Sequence, residues 1–568
     1  MSGDTETGSA PPHRGPPRWL LVTGDLVAVA GIVAVLLYQQ TRVHMGPAGD
    51  AYPGWASPYD TYLIGPDAGE WANAARLVAE GRIDEVDPHR PPTWVLLTAL
   101  FSRLLGVDVV LAGHAVNHLI GVLGPVVVYA LGRRLGLGGL AIAAAVVSGT
   151  LLQTAYAVTN YCIDAAVTYA LPTLLFVASF AGRGRLAAVG AGVLGAFAAF
   201  THLLLMPLSV LGVLMATTTA PRGRRLATGA VFAATILAMA LAVFALYPHL
   251  GVGDLGDAFA EGAARQRNVS ATPTEALGRL AAATRVAVAV DWRDLNWRAG
   301  WLAAHALPRG IPAVLVGTLC LLGAWGPFTA SPGGASQPGW RSGVAGGLPL
   351  AGVLLFLVAL TAVRAPERYG FDLVACLALL AMRGIYACLA IAAALATRAV
   401  PAGFRAAAVT WAPGVLAALL GVGFAADAAL NQSPMQIQMR QPPVMPNDED
   451  ARRLGTALAA WPANTPVVSY EKEALVYANT WSCVLASCPE EESPGGFEQC
   501  RDRAAAACPG EGDLLWVLSS RPDPYKVSVA RLTVDAWAGA TFPVVLTVDG
   551  TMTTFTVVAV PRTGLGTP

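Results

Sequence analysis

Eleven apolar runs fill the first 430 residues of this 568-residue chain, most of them close to the roughly 20 residues a helix needs to cross the hydrocarbon core of a bilayer. They fall at 19–38, 108–131, 138–158, 162–181, 187–201, 202–219, 226–246, 309–328, 346–363, 370–396 and 405–427. Hydrophobic residues make up 55% of the chain and charged residues only 13%, about half the charged share of a soluble domain. The sequence therefore predicts a polytopic α-helical membrane protein with about 11 transmembrane helices. The first run is too long for a signal-peptide core and lacks a small-residue cleavage site, so it is expected to remain as a span. The pair 187–201 and 202–219 is the least regular, because each half is short and one broken helix also fits.

Arginines orient these spans. Arg14 and Arg18, Arg133 and Arg134, Arg183 and Arg185, the 222–225 turn, Arg341, and Arg398 with Arg405 fall in alternate loops, which become cytoplasmic if the N-terminus is inside. An odd number of spans then puts the C-terminus outside. The expected organisation is a disordered cytoplasmic N-terminus (1–18), a transmembrane domain (19–430) with external loops 40–107 and 247–308, and an extracytoplasmic α/β domain (431–568). In that last part, Asn447 to Asp450 reads as a helix start, and Leu514–Leu518, Pro543–Val548 and Thr553–Val560 read as strands.

Cysteine placement agrees with this topology. Cys162, Cys320, Cys376 and Cys388 lie singly in or beside apolar runs, as packing residues do. Cys483, Cys488, Cys500 and Cys508 cluster in a polar segment, as expected of two disulfides on an oxidising side. Three connectivities are possible. A four-cysteine zinc site is the rival, although gaps of four, eleven and seven residues do not resemble a C-x2-C pair.

Net charge is zero, with 37 basic and 37 acidic residues, so no large basic face is available for a nucleic-acid backbone. There is no phosphate-binding G-x-x-x-x-G-K-[ST], no H-E-x-x-H and no G-x-S-x-G. Nucleotide-driven transport, zinc proteolysis and serine hydrolysis lose support. In loop 247–308 the alternation of Arg285, Asp291, Trp292, Arg293, Asp294, Trp297 and Arg298 reads as an interfacial anchor.

Loop 40–107 carries the most chemistry. Asp67 follows Gly65-Pro66 and opens a short amphipathic helix with Glu70 and Trp71 that ends at Gly81, and Asp87-Pro88-His89-Arg90-Pro91-Pro92 leads into the apolar stretch Val95–Leu105. On spacing alone, Asp67 is a helix cap. Farther along, Asp164 starts a run on the external side, and Arg364-Ala-Pro-Glu367-Arg368-Tyr369 precedes another. An arginine at a membrane edge ordinarily snorkels to headgroups.

Together these elements resemble the polytopic GT-C glycosyltransferases, in particular the protein O-mannosyltransferase and aminoarabinose-transferase-like branch (glycosyltransferase family 39-like). The architecture matches over residues 19–430, and the specific motifs lie in 60–185 and 364–372. The resemblance implies a bacterial inner-membrane enzyme that moves a sugar from a polyprenyl-phosphate donor to a glycan, lipid or protein acceptor on the extracytoplasmic face. It implies Asp67 as general base, with Glu70 in place of the acid that relatives carry directly after the aspartate; here Ala68 stands there. It implies His89, Arg90, Arg364 and Arg368 at the donor phosphate, where a guanidinium fork holds two oxygens at once. Asp164 and Tyr369 become candidates to line the same cavity. No cofactor and no divalent metal are expected. Two other classes stay open: a lipid or solute transporter or flippase, which needs ionisable groups near the midplane, and a catalytically silent scaffold whose external domain binds a partner.

Overall fold

The structure, a computed structural model, describes residues 18–45, 66–83, 86, 92–150, 158, 163–246, 318–324, 347–349, 351–352, 374–396, 448–462, 465–468, 482–483, 498, 501–502, 505, 512–520, 541–550 and 553–562. Helices whose bounds fall among the described residues of the apolar part are α1 (Arg18–Met45), α2 (Pro66–Glu80), α3 (Pro92–Leu105), α4 (Val109–Arg134), α5 (Leu140–Thr150), α6 (Asp164–Ala178), α7 (Arg185–Ala199), α8 (Ser209–Thr219), α9 (Arg225–Leu246) and α10 (Val374–Ala396). Among the described residues three helical stretches are long and apolar enough to cross a membrane: Val109–Arg134, Asp164–Arg183 and Arg222–Val243. Leu26, Leu37, Leu194 and Leu241 are half or more exposed along α1, α7 and α9, the placement expected where the surroundings are lipid tails.

Local chemistry sets the helix ends. Pro66 opens α2, where its missing N–H costs nothing. Gly81 closes it at φ +85°, and Arg82 donates back to the Leu77 carbonyl at 2.8 Å, a turn that satisfies the last carbonyls. Gly106, at φ +65°, turns the chain from α3 into α4. Asp108 then caps α4, its Oδ1 accepting from the Val110 and Leu111 N–H groups at 2.9 Å each.

α4 is the hub of the bundle. At Gly124 an added methyl would overlap the Tyr169 ring of α6, and the Tyr169 hydroxyl donates to the Ser148 carbonyl of α5 at 3.1 Å. At Gly149 of α5 a methyl would meet Leu36 of α1 and Pro125 of α4. Small residues bring membrane helices close in this way, since association there depends on packing rather than water exclusion. α1 runs antiparallel to α4: Asp25 accepts from the Tyr129 hydroxyl at 2.5 Å and pairs with Arg133 at 3.0 Å, while Gln40 lies 3.2 Å from His118.

The irregular stretch 187–219 folds as two helices rather than one. α7 and α8 are joined through a 3-10 turn at Leu203–Leu208, and they lie antiparallel. Gly182 sits against Ala220, and Gly195 and Gly212 both sit against Leu174 and Phe232. In α10, Gly384 faces the Leu319 carbonyl while Gly323 faces the Leu380 carbonyl, so two backbones meet at a reciprocal glycine contact. The runs at 309–328 and 346–363 are described only in part, and 405–427 lies outside the described residues.

Toward the C-terminus, α11 (Asp448–Leu458) accompanies a five-stranded sheet of β1 (Val467–Val468), β2 (Ser482–Cys483), β3 (Leu514–Ser519), β4 (Val544–Asp549) and β5 (Thr554–Val560), in the order β2-β1-β3-β5-β4. β1 is parallel to β2 and β3, while β5 is antiparallel to β3 and β4. The alternating residues Leu515, Val517, Phe555 and Val557 face Leu454 and Leu458 of α11 and form the core. Asp450 is fully buried and accepts from the Thr553 N–H at 3.2 Å, tying the start of α11 to the β4–β5 hairpin. The expected helix start and all three expected strands are present.

Candidate functional site

α2 and α3 are parallel. The Trp71 and Trp94 rings meet edge to face, with centroids 5.9 Å apart at 80°. Two turns further on, Arg103 Nε donates to the Ala79 carbonyl at 2.6 Å. These contacts lie 23 and 24 residues apart in sequence, a constant offset that puts the starts of both helices at one end. Trp94, fully buried, also donates its indole N–H to Asn117 Oδ1 of α4 at 2.8 Å, and Asn117 is fully buried as well. The edge-to-face geometry suits the ring quadrupoles and the indole donor is satisfied, as a buried Trp requires. Pro92 and Thr93 of α3 are buried beside it, and the Thr93 hydroxyl donates to the Phe197 carbonyl of α7 at 2.8 Å.

Other helix ends gather at the level that Asn117 marks on α4. His118 meets Gln40 near the end of α1. A methyl at Gly121 would strike Val158 and Gln40, and Ile120 packs with Val158 and Ala165. Asp164, next to Ala165, is the first residue of α6 and is 8% exposed. Thus the starts of α2, α3 and α6 and the end of α1 surround one third of α4. Three helix starts at one level turn the positive ends of three dipoles to the same place, an environment that favours anions.

Asp67 and Glu70 occupy the first turn of α2, with Asp67 one turn before Trp71. The backbone is described there and the side chains are not. Arg90 and His89 precede Pro92, the first residue of α3, and lie outside the described residues, as do Arg364, Arg368 and Tyr369. Of the expected disulfide cysteines, Cys483 is placed by its backbone on β2, and Cys488, Cys500 and Cys508 lie outside the described residues. The structure supplies no disulfide among the described residues. Cys320 and Cys376 are free and buried, and Cys388 is free and exposed; the first two fit the packing role. Among the described residues no three His, Cys, Asp or Glu side chains gather into a metal-sized group.

Asn117, His118 and Gln40 belong to no motif that would mark them in the sequence. The Trp94–Asn117 bond joins residues 23 apart on different helices, and nothing in the periodicity of either pairs them.

No protein-family model matches the chain, and no curated protein is similar to it. Solved structures that it resembles include ArnT from Cupriavidus metallidurans bound to undecaprenyl phosphate, at 15% identity over 97% of this chain and 99% of that one, with a TM-score of 0.48. The archaeal oligosaccharyltransferase AglB from Archaeoglobus fulgidus, in complex with an inhibitory peptide and a dolichol-phosphate, is similar at 12% identity over 88% of this chain and 70% of that one, with a TM-score of 0.42.

Proposed function

We propose that the protein is a membrane glycosyltransferase that takes a sugar from a polyprenyl-phosphate donor and passes it to an acceptor hydroxyl or amine, with Asp67 as general base. The observation that carries this reading is the parallel pairing of α2 and α3 through Trp71 and Trp94. Asp67 stands four residues before Trp71, and Arg90 stands four residues before Trp94. Two residues of chain span no more than about 7 Å, so Arg90 is tethered close to the start of α3 while Asp67 is fixed at the start of α2.

In the reaction, the acceptor attacks the anomeric carbon and its proton passes to the Asp67 carboxylate. The bond from that carbon to the donor phosphate breaks, and the lipid phosphate leaves with added negative charge. Arg90 holds two of its oxygens, with His89 as a further donor, and Arg364 and Arg368 supply charge from the later external element. The converging helix starts stabilise the same anion, and removal from water strengthens every one of these contacts. Glu70, one turn beyond Asp67, steers the acceptor.

The test is transfer by the purified, reconstituted chain from a panel of polyprenyl-phosphate sugars, read as released polyprenyl phosphate. Asp67→Asn should lower turnover by about 10²–10⁴-fold, the usual share of a general base, while the protein stays folded in detergent. Transfer near the wild-type level in that variant overturns the assignment of the base. Sugar movement across the bilayer without bond cleavage favours the transporter reading instead.

A further inference from the structure

At the opposite end of α4 two consecutive arginines part company. Arg133 turns to Asp25 of α1 and pairs with it at 3.0 Å. Arg134 turns the other way and lays its guanidinium over the Phe180 ring, 4.1 Å from the centroid. Arg183, the terminal residue of the adjacent crossing segment, covers the same ring at 4.4 Å. Phe180 is itself held edge to face by Phe176, at 5.0 Å and 82°.

Stacking on an aromatic face fixes a guanidinium and leaves its N–H edge pointing outward. Two such groups of like charge therefore stand together on one ring and repel. Among the described residues neither has a carboxylate partner, and both are exposed. What relieves a fixed pair of guanidinium groups is a shared anion with several oxygens. With hydrogen-bond reach of roughly 3 Å on each side, one phosphate at the ring edge meets both forks.

The surroundings indicate where that phosphate comes from. Leu186 and Leu226 lie at the starts of α7 and α9, next to Arg185 and Arg225, and are 89% and 85% exposed. The turn carrying Gly182 packs directly on the Ala220 turn, so these leucines and the arginine pair share one end of the bundle. Bare leucines beside bare arginines mark a boundary between acyl chains and headgroups rather than open water.

We propose that Arg134, Arg183 and Phe180 form a binding site for the phosphate of an anionic phospholipid headgroup, formed where two crossing helices end. The site is independent of the transferase reading.

The experiment is native mass spectrometry on the full chain, delipidated and titrated with phosphatidylglycerol or phosphatidylcholine. The wild type should retain phosphatidylglycerol preferentially. Arg134→Gln and Arg183→Gln should each weaken that retention about tenfold, the size of one charge-assisted hydrogen bond, and the double variant should lose little more because both hold one phosphate. Arg222→Gln, which removes an exposed arginine not stacked on Phe180, should retain it as the wild type does. If the glutamine variants fail to fold, Arg134→Lys and Arg183→Lys keep the charge but lose the fork, and should weaken retention by several-fold. Wild-type retention in the double variant, or equal loss in Arg222→Gln, overturns the site in favour of a diffuse basic face. Full displacement by millimolar inorganic phosphate overturns the lipid assignment and leaves a soluble-anion site.

Discussion

Replacing Asn117 by leucine removes the acceptor 2.8 Å from the Trp94 indole N–H and keeps the number of side-chain heavy atoms. Both residues have 0% exposure, so water does not substitute for the lost oxygen. Stranding a buried donor costs about 1–3 kcal/mol. Trp94→Phe removes the donor itself and weakens the edge contact with Trp71, worth about 0.5–1.5 kcal/mol. In the double variant no donor is stranded, so the two costs should fall short of additivity by about 1–2 kcal/mol. Reversible unfolding in mixed micelles of the wild type, both single variants and the double variant measures this difference. Additivity to within about 0.3–0.5 kcal/mol would show that the bond does not couple α3 to α4. The functional arm uses the folded fraction of Asn117→Leu: because Trp94 holds Trp71 one turn from Asp67, kcat should fall several-fold with donor KM little changed. An unchanged kcat there refutes the positioning of Asp67 through this pair, whatever the stability result.

Gly384→Ala puts a methyl into the Leu319 carbonyl, which is backbone and has no rotamer to yield; a loss of about 1–3 kcal/mol is expected, and a variant as stable as the wild type would show that the two backbones are farther apart. Asp450→Ala removes a fully buried acceptor from the Thr553 N–H, which should cost about 1–3 kcal/mol and raise amide exchange at Thr553 and Gly550; unaltered exchange at both positions contradicts the tie between α11 and the hairpin.

The sequence made the elements more legible than their partnerships. Gly81 announces its turn because a positive φ demands a particular residue type. The strands at 514–519, 544–549 and 554–560 were readable from their β-branched runs. The break at 203–208 was legible only as irregularity, since the apolar run continues through it and the stop comes from α7 and α8 turning back on each other. Trp94 with Asn117, and Arg134 with Arg183 on Phe180, were not legible at all: each joins different helices, and helical periodicity carries no information about which face meets which. By spacing Asp67 is a helix cap and only the resemblance makes it a base; the structure adds what spacing could not, a parallel partner whose start lies at the same end.

The Asp25–Arg133 contact also bears on how the chain enters the membrane. Asp25 emerges from the ribosome within α1, but its cation lies 108 residues later in the sequence. At roughly 5–20 residues per second of synthesis, Asp25 waits about 5–20 seconds for Arg133 to be made. The arrival of α4 then turns that carboxylate into a register mark, aligning two helices separated in sequence by α2 and α3. A fault in α4 would therefore be felt first as misplacement of α1, made before it.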